Sequence, residues 1–246
     1  MNLQDLVSYC DQLLDVAAFD DYCPNGLQVE AGESVIRIVS GVTASLAQVD
    51  AAIEAGADLL LVHHGYFWKG EPEPLTGMKG RRVRRLMQAG VSLLAYHLPL
   101  DAHPLLGNNA GLGAALGLNG GPIAEKSLVW GAQLPQPSGA GQLGALIGER
   151  LQREPLVVDA GRPIRSLAWC TGAAQNYIVK AAAAGFDAFI SGEISEQTQH
   201  LAQELGVSYF AAGHHATERF GVRALGEHLA QHFDLAHQFI DIDNVA

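Results

Sequence analysis

Short apolar runs recur along the chain, and each one stops at a polar cluster. Ala57-Asp-Leu-Leu-Leu-Val62 stops at His63-His64-Gly65, and Gly90-Val-Ser-Leu-Leu-Ala95 stops at Tyr96-His97-Leu-Pro-Leu-Asp101. Later, Ala188-Phe-Ile190 stops at Ser191-Gly-Glu193, and Gly206-Val-Ser-Tyr-Phe-Ala211 stops at Ala212-Gly-His214-His-Ala-Thr-Glu218. Runs this short, bounded by glycine and polar residues, read as buried strands, and the stretches between them carry helical spacing. Strands alternating with helices predict an α/β protein with a mainly parallel sheet in each half.

The order of these elements repeats. Gly41-Val-Thr-Ala-Ser45 leads a helical stretch to Ala55-Gly-Ala-Asp58 and a strand, and Gly172-Ala-Ala-Gln-Asn176 leads another to Ala184-Gly-Phe-Asp187 and a strand. Gly-Val-Ser plus an apolar run follows in both halves. Helix ends converge on Ala-Gly-x-Asp because glycine suits the left-handed cap, but two matches in the same order favour a duplicated unit. Two similar α/β lobes are therefore expected, residues 1–124 and 125–246, divided where Gly and Pro cluster between Asn119 and Gly139. A short strand is expected over Lys126–Leu134 and another over Ala236–Ile242, the latter free to pack back on the first lobe.

With 246 residues and 48% hydrophobic content, the chain can bury a substantial core. Its start carries two aspartates and helical spacing, unlike a signal peptide, and no apolar run approaches the ~20 residues of a membrane span. A cytoplasmic protein without membrane association is expected. Three dispersed cysteines without a C-x-x-C pair read as buried thiols. The net charge of -11 argues against general affinity for nucleic acid. The exception is Lys79-Gly-Arg-Arg-Val-Arg-Arg85, which reads either as a solvated helix face or as an anion-attracting rim.

The polar tips hold the candidate chemistry. In parallel sheets, ligands gather beyond the carboxyl ends of strands, where His63, His64, Asp101, His214 and Glu218 all fall. Neighbours on a regular strand point to opposite faces, so His63 and His64 suit two different ions rather than one, with Gly65 permitting a bend. His214 and Glu218, four apart, share one face of a predicted helix. Pro99 makes the segment from His97 to Asp101 a loop. Taken singly, each has a structural alternative: half-buried histidines, an acidic first helical turn, an aspartate in a loop hydrogen bond. Imidazoles and carboxylates at equivalent tips of a repeat together favour a metal site of the N/O type.

Asp21-Tyr-Cys-Pro-Asn-Gly-Leu-Gln-Val29, Gly41-Val-Thr-Ala-Ser45, Val62-His-His-Gly-Tyr-Phe-Trp68, His97-Leu-Pro-Leu-Asp101 and Gly213-His-His-Ala-Thr-Glu218 resemble the motifs of one family. It is the NIF-three-like family, also labelled GTP cyclohydrolase I type two homologues, and the chain looks closest to its bacterial YbgI-type members. The resemblance implies a dinuclear metal centre in the cleft between two similar α/β lobes. By motif, its ligands are His63, His64, Asp101, His214 and Glu218, with His97 a neighbour outside the set. It also implies two divalent ions per subunit, zinc, iron, manganese or nickel, and a toroidal homohexamer. The spacer between lobes leaves no room for the extra domain of some relatives.

The function expected is metal-dependent hydrolysis of a nucleotide-like or phosphate-bearing small molecule through metal-activated water, with His97 or Glu193 handling protons. No G-x-x-x-x-G-K-[ST] phosphate loop is present, and no residue pattern reads guanine. The alternative is a noncatalytic metal-dependent scaffold or regulator, with Tyr66-Phe67-Trp68 as a contact patch.

Overall fold

The computed structural model describes residues 1–246, which form two compact units. One comprises Met1–Leu100 with Gly221–Asp243, and the other Asp101–Phe220 with Asn244–Ala246.

The first unit holds strands β1 (Gly26–Val29), β2 (Arg37–Thr43), β3 (Leu59–His64), β4 (Ser92–Ala95) and, from near the C-terminus, β11 (Ala236–Phe239). They form one sheet in the order β1-β4-β3-β2-β11, parallel except for β1, which runs antiparallel to β4. Its apolar strands are buried, and helices Leu46–Glu54 and Gly77–Ala89 contribute Val49, Ala52 and Leu86 to the core over Leu60, Val62 and Leu93. No helix of the chain is long and apolar enough to cross a membrane.

The second unit holds β5 (Gly121–Pro122), β6 (Trp130–Ser138), β7 (Leu156–Val158), β8 (Ile164–Trp169), β9 (Ala188–Ser191) and β10 (Ser208–Ala211), in the order β5-β6-β8-β9-β10-β7. Only β8, β9 and β10 run parallel; β5, β6 and β7 join antiparallel. This sheet is mixed rather than mainly parallel. The Gly/Pro-rich segment forms the β5–β6 hairpin, which lies antiparallel along β8 at one edge, and β7 pairs antiparallel with β10 at the other. Its strand begins at Trp130, later than the apolar run suggests.

The compact units change over at Leu100 and at Phe220 rather than near residue 124. Leu112 and Leu116 precede it in the chain, yet they belong to the core around Trp169, Leu167 and Phe210. Helix Asn108–Ala115 can approach because Gly113 has no side chain: a Cβ there would lie 2.7 Å from the Trp169 ring. Trp169 Nε1 also donates to the Asn109 carbonyl at 2.9 Å.

The repeat is structural in detail. The strand order β1-β4-β3-β2 matches β7-β10-β9-β8, with an antiparallel first strand in each. The aspartates of the two Ala-Gly-x-Asp motifs do the same work: Asp58 accepts from the Ile36 and Arg37 amides, both at 2.8 Å, and Asp187 from those of Arg165 and Ser166 at 2.9 and 3.1 Å. Each carboxylate thus receives the first amides of the parallel strand beside it. The Gly-Val-Ser serines match too, Ser92 Oγ accepting from Ala31 and Gly32 amides and Ser208 Oγ from Ala160. Duplicated motifs here mean duplicated strand anchors.

Burial raises the Asp187 carboxyl pKa, but the amides of Arg165 and Ser166, the Ser166 hydroxyl and the Arg162 charge outweigh it, holding the group below its ordinary value. Asp58→Ala and Asp187→Ala should each lower unfolding free energy by about 1–3 kcal/mol in urea titrations, since each strands two amides. The Asp187 contribution is present above the unfolded carboxyl pKa of about 3.9 and disappears as pH falls through the lower folded value, so the wild type and Asp187→Ala should converge in acid.

Candidate metal centre

In the first unit, His63 is fully buried on β3, and its Nδ1 lies 2.8 Å from the Tyr96 carbonyl. A carbonyl only accepts, so Nδ1 carries the proton and Nε2 keeps its lone pair. His64 Nδ1 lies 3.1 Å from Thr43 Oγ1, a partner able to take either role. His97 Nδ1 lies 2.9 Å from Asp21 Oδ1, which again puts the proton on Nδ1. Asp21 is itself held by Asn25 Nδ2 and the Leu98 amide, both at 2.9 Å, while Asn25 Oδ1 receives the His97 amide at 2.7 Å. Burial raises the Asp21 pKa, but the His97 and Asn25 hydrogen bonds and the His97 charge push it well below the usual carboxylate range.

These locks leave His63, His64 and His97 each offering one ring nitrogen, all within 4.8 Å of one another. The His63 and His64 rings lie 4.6 Å apart between centroids, closer than neighbours on a continuing strand would be. Strand alternation ends here because His64 closes β3 and Gly65 follows. A Cβ on Gly65 would collide with the Gln28 side-chain amide, whose oxygen receives the Tyr66 amide at 2.6 Å. Gln28 and Asn25 of the Pro-Asn-Gly-Leu-Gln segment therefore position the histidine tips rather than react.

In the second unit, Asp101 lies in the short helix Leu98–Ala102, not in a loop. Pro99 is accommodated because the first turn of a helix has no use for its missing amide. Asp101 Oδ1 receives Asn108 Nδ2 at 2.8 Å and Thr171 Oγ1 at 3.2 Å. His214 and Glu218 do not share one continuous helix: a turn over His214–Thr217 is separated from Arg219–Phe233 by Glu218 at φ -110, ψ 10. The pairing survives the break, with His214 Nε2 at 3.1 Å from Glu218 Oε2. His214 Nδ1 faces Glu193 Oε1 at 2.7 Å. Asp101 and Glu218, both buried, offer carboxylate oxygens within 4.8 Å of each other.

Buried carboxylates this close are costly without a compensating cation, and an imidazole backed by a carboxylate on its other nitrogen is the arrangement of metal-ligating histidines. The donor types fit zinc, iron, manganese or nickel. Space is reserved as well: Gly172 stands at φ +68, and a Cβ there would collide with Glu218 Oε1 and lie 3.2 Å from His214 Nε2. The chain thus carries His/Asp/Glu clusters that could hold metal ions. Asp21, Asn108 and Thr171 escape sequence reasoning, since nothing in their periodicity marks them as holders of ligands. The basic run 79–85 lies on helix Gly77–Ala89, where Arg85 pairs with Asp50 at 2.6 Å and Lys79 with Glu71 at 3.6 Å.

Burial lowers the His214 pKa, but hydrogen bonds and charge from Glu218 and Glu193 outweigh it and raise the group to about 9. Without metal, His214 therefore keeps its proton through neutral pH, and a metal ion must displace it. Zinc affinity should rise from pH 6 to pH 9, with proton release seen by calorimetry in buffers of different ionisation heat. Glu193→Gln should weaken zinc binding about 10- to 100-fold, as lost outer partners do. Gly172→Ala should weaken it also, with far-UV circular dichroism unchanged.

The sequence pattern of the Duf34/NIF3 (NGG1p interacting factor 3) family matches residues 1–245. A Pseudomonas aeruginosa protein named GTP cyclohydrolase 1 type 2 homolog is 55% identical over 248 residues, spanning 99% of this chain and 98% of its own. Its namesake in Escherichia coli K12 is 49% identical over 248 residues, spanning 100% of both chains. Among solved structures, protein ybgI, described as of unknown function, superimposes with TM-score 0.96 at 50% identity over 100% of both chains. TTHA1606 from Thermus thermophilus superimposes with TM-score 0.92 at 36% identity, again over 100% of both. The chain belongs to the Duf34/NIF3 family.

Proposed function

We propose that the chain is a metal-dependent hydrolase of nucleotide-like or phosphate-bearing small molecules, with His63, His64, Asp101, His214 and Glu218 as ligands of two divalent ions. The observation that carries this is His214, whose Nδ1 proton is held by Glu193 while Nε2 meets the buried Glu218. The name GTP cyclohydrolase 1 type 2 homolog, borne by the relatives, supports the nucleotide-like class.

Divalent ions, when bound, polarise an electrophile and bring the pKa of water from 15.7 toward about 7. The remaining work falls to the chain. Tyr96 and Glu193 accept from Nδ1 of His63 and His214, so Nε2 is the nitrogen each ring would offer an ion; His63 offers it bare, whereas the His214 Nε2 proton, held by Glu218, would first have to leave. Asn108 and Thr171 hold Asp101 Oδ1, which orients its other oxygen. His97, locked through Nδ1 on Asp21, presents Nε2 as the atom that accepts or returns a proton.

Metal analysis of the protein, coupled to a screen of nucleotides and phosphoesters with and without chelator, tests this reading. Turnover should vanish with chelator and return with zinc or manganese. His64→Ala and Glu218→Ala should lose bound metal and at least 100-fold in rate, whereas His97→Gln should keep its metal and lose kcat. Protein that binds metal but turns over nothing in the panel would be a scaffold instead.

A further inference from the structure

The imidazole cluster of the first unit has an aromatic wall that none of the proposed chemistry uses. Tyr22 and Trp68 pack together with centroids 5.7 Å apart and planes 38° apart. Both stand edge-on to His97, at 5.0 and 5.1 Å, and Trp68 lies 5.8 Å from His64. Tyr22 is nevertheless 54% exposed, and Trp68 only half-buried. Tyr and Trp that keep part of the ring open to solvent suit contact with a ligand or partner.

The wall is also held in place. The Lys69 amide donates to the Tyr22 carbonyl at 2.8 Å, tying the two segments together. Trp68 Nε1 donates to the Gly65 carbonyl at 3.2 Å. Glu71 Oε2 receives the Phe67 and Trp68 amides at 3.0 and 3.3 Å. Phe67 stands at φ 66, a left-handed conformation that a bulky residue rarely adopts, and Lys79 lies over its ring. The loop thus accepts an unfavourable backbone conformation while presenting Trp68 beside the histidines.

We propose that Tyr22 and Trp68 form a stacking shelf for the planar heteroaromatic ring of the ligand whose reacting part meets the His63, His64 and His97 cluster. The inference rests on the hydrolase reading and narrows its substrate class to one bearing such a ring. With only two ring faces, tilted 38° to each other, the pair does not enclose a compact cation, which a cage surrounds with several ring faces, whereas a flat ring needs only one exposed face to stack on. The two rings are too close to admit a third between them, so the ligand stacks on their exposed side. Stacking on aromatic side chains tolerates any base, which matches the absence of a guanine-reading pattern.

Binding of GMP, AMP and riboflavin, with ribose 5-phosphate as the ring-free control, tests this by calorimetry on metal-loaded and on chelated protein. The ring-bearing probes should bind the wild type at least tenfold more tightly than ribose 5-phosphate. Trp68→Leu should weaken them about tenfold, Trp68→Phe should restore most of the loss, and metal content should not change. Wild-type affinity in both Trp68→Leu and Tyr22→Leu would overturn the shelf, as would equal binding of the ring-free control. So would a change of assembly mass in Trp68→Leu with ring binding intact, which would assign the pair to a subunit contact. Ring binding without any hydrolysis defeats the hydrolase reading and leaves the shelf standing; hydrolysis of nucleotides by Trp68→Leu with wild-type kcat and KM defeats the shelf and leaves the hydrolase reading standing.

Discussion

An imidazole has two nitrogens, and a site built from histidines works only if each ring is told which of them to offer. That instruction comes from the partner on Nδ1: the Tyr96 carbonyl for His63, Asp21 for His97 and Glu193 for His214. In each case an acceptor receives the Nδ1 hydrogen bond, so Nε2 is the nitrogen left for another partner; at His214 that partner is Glu218, and the proton between them must leave before a metal binds. A buried polar atom left without such a partner costs a few kcal/mol, so the same bonds that set the chemistry also make burial of these rings affordable. Asp101 follows the rule for carboxylates, with Oδ1 committed to Asn108 and Thr171.

Around these locks, the two units share one scaffold and differ at its tips. Asp58 and Asp187 receive the amides that start a neighbouring strand, and Ser92 and Ser208 receive amides of the loop beside the edge strand. At the end of β3, however, stand His63 and His64, whereas the end of β9 leads to Gly192 and Glu193. A glycine is demanded at the second tip, because a Cβ on Gly192 would lie 2.6 Å from His214 Cα. The tips of the first unit thus carry imidazoles, and those of the second carry the carboxylates of Glu193 and Glu218 together with the His214 imidazole. Like anchors and unlike tips are what divergence after duplication leaves when strand pairing is under constraint and tips are not.

Glycine sets the close approaches throughout. Gly65 admits the Gln28 amide, Gly113 the Trp169 ring and Gly172 the Glu218 carboxylate. In each place the space of one methyl group is what lets two elements meet. Gly172 additionally needs its positive φ, so two independent constraints exclude a larger residue there.

Apolar periodicity and the repeated Ala-Gly-x-Asp and Gly-Val-Ser motifs determined the α/β class and the strands that carry His63, His64 and His214, because burial of a strand is written in its local order. They also marked the five candidate ligands, since imidazole and carboxylate at strand ends stand out against apolar runs. The antiparallel hairpin of residues 121–138, the transfer of Leu112 and Leu116 to the core around Trp169, and the pairing of β11 with β2 were decided only by tertiary structure. So were the partners Asp21, Asn108, Thr171 and Glu193. Local sequence dictates which side chains avoid water, but not which distant donor or acceptor will complete a buried hydrogen bond, because that pairing exists only once the chain has folded.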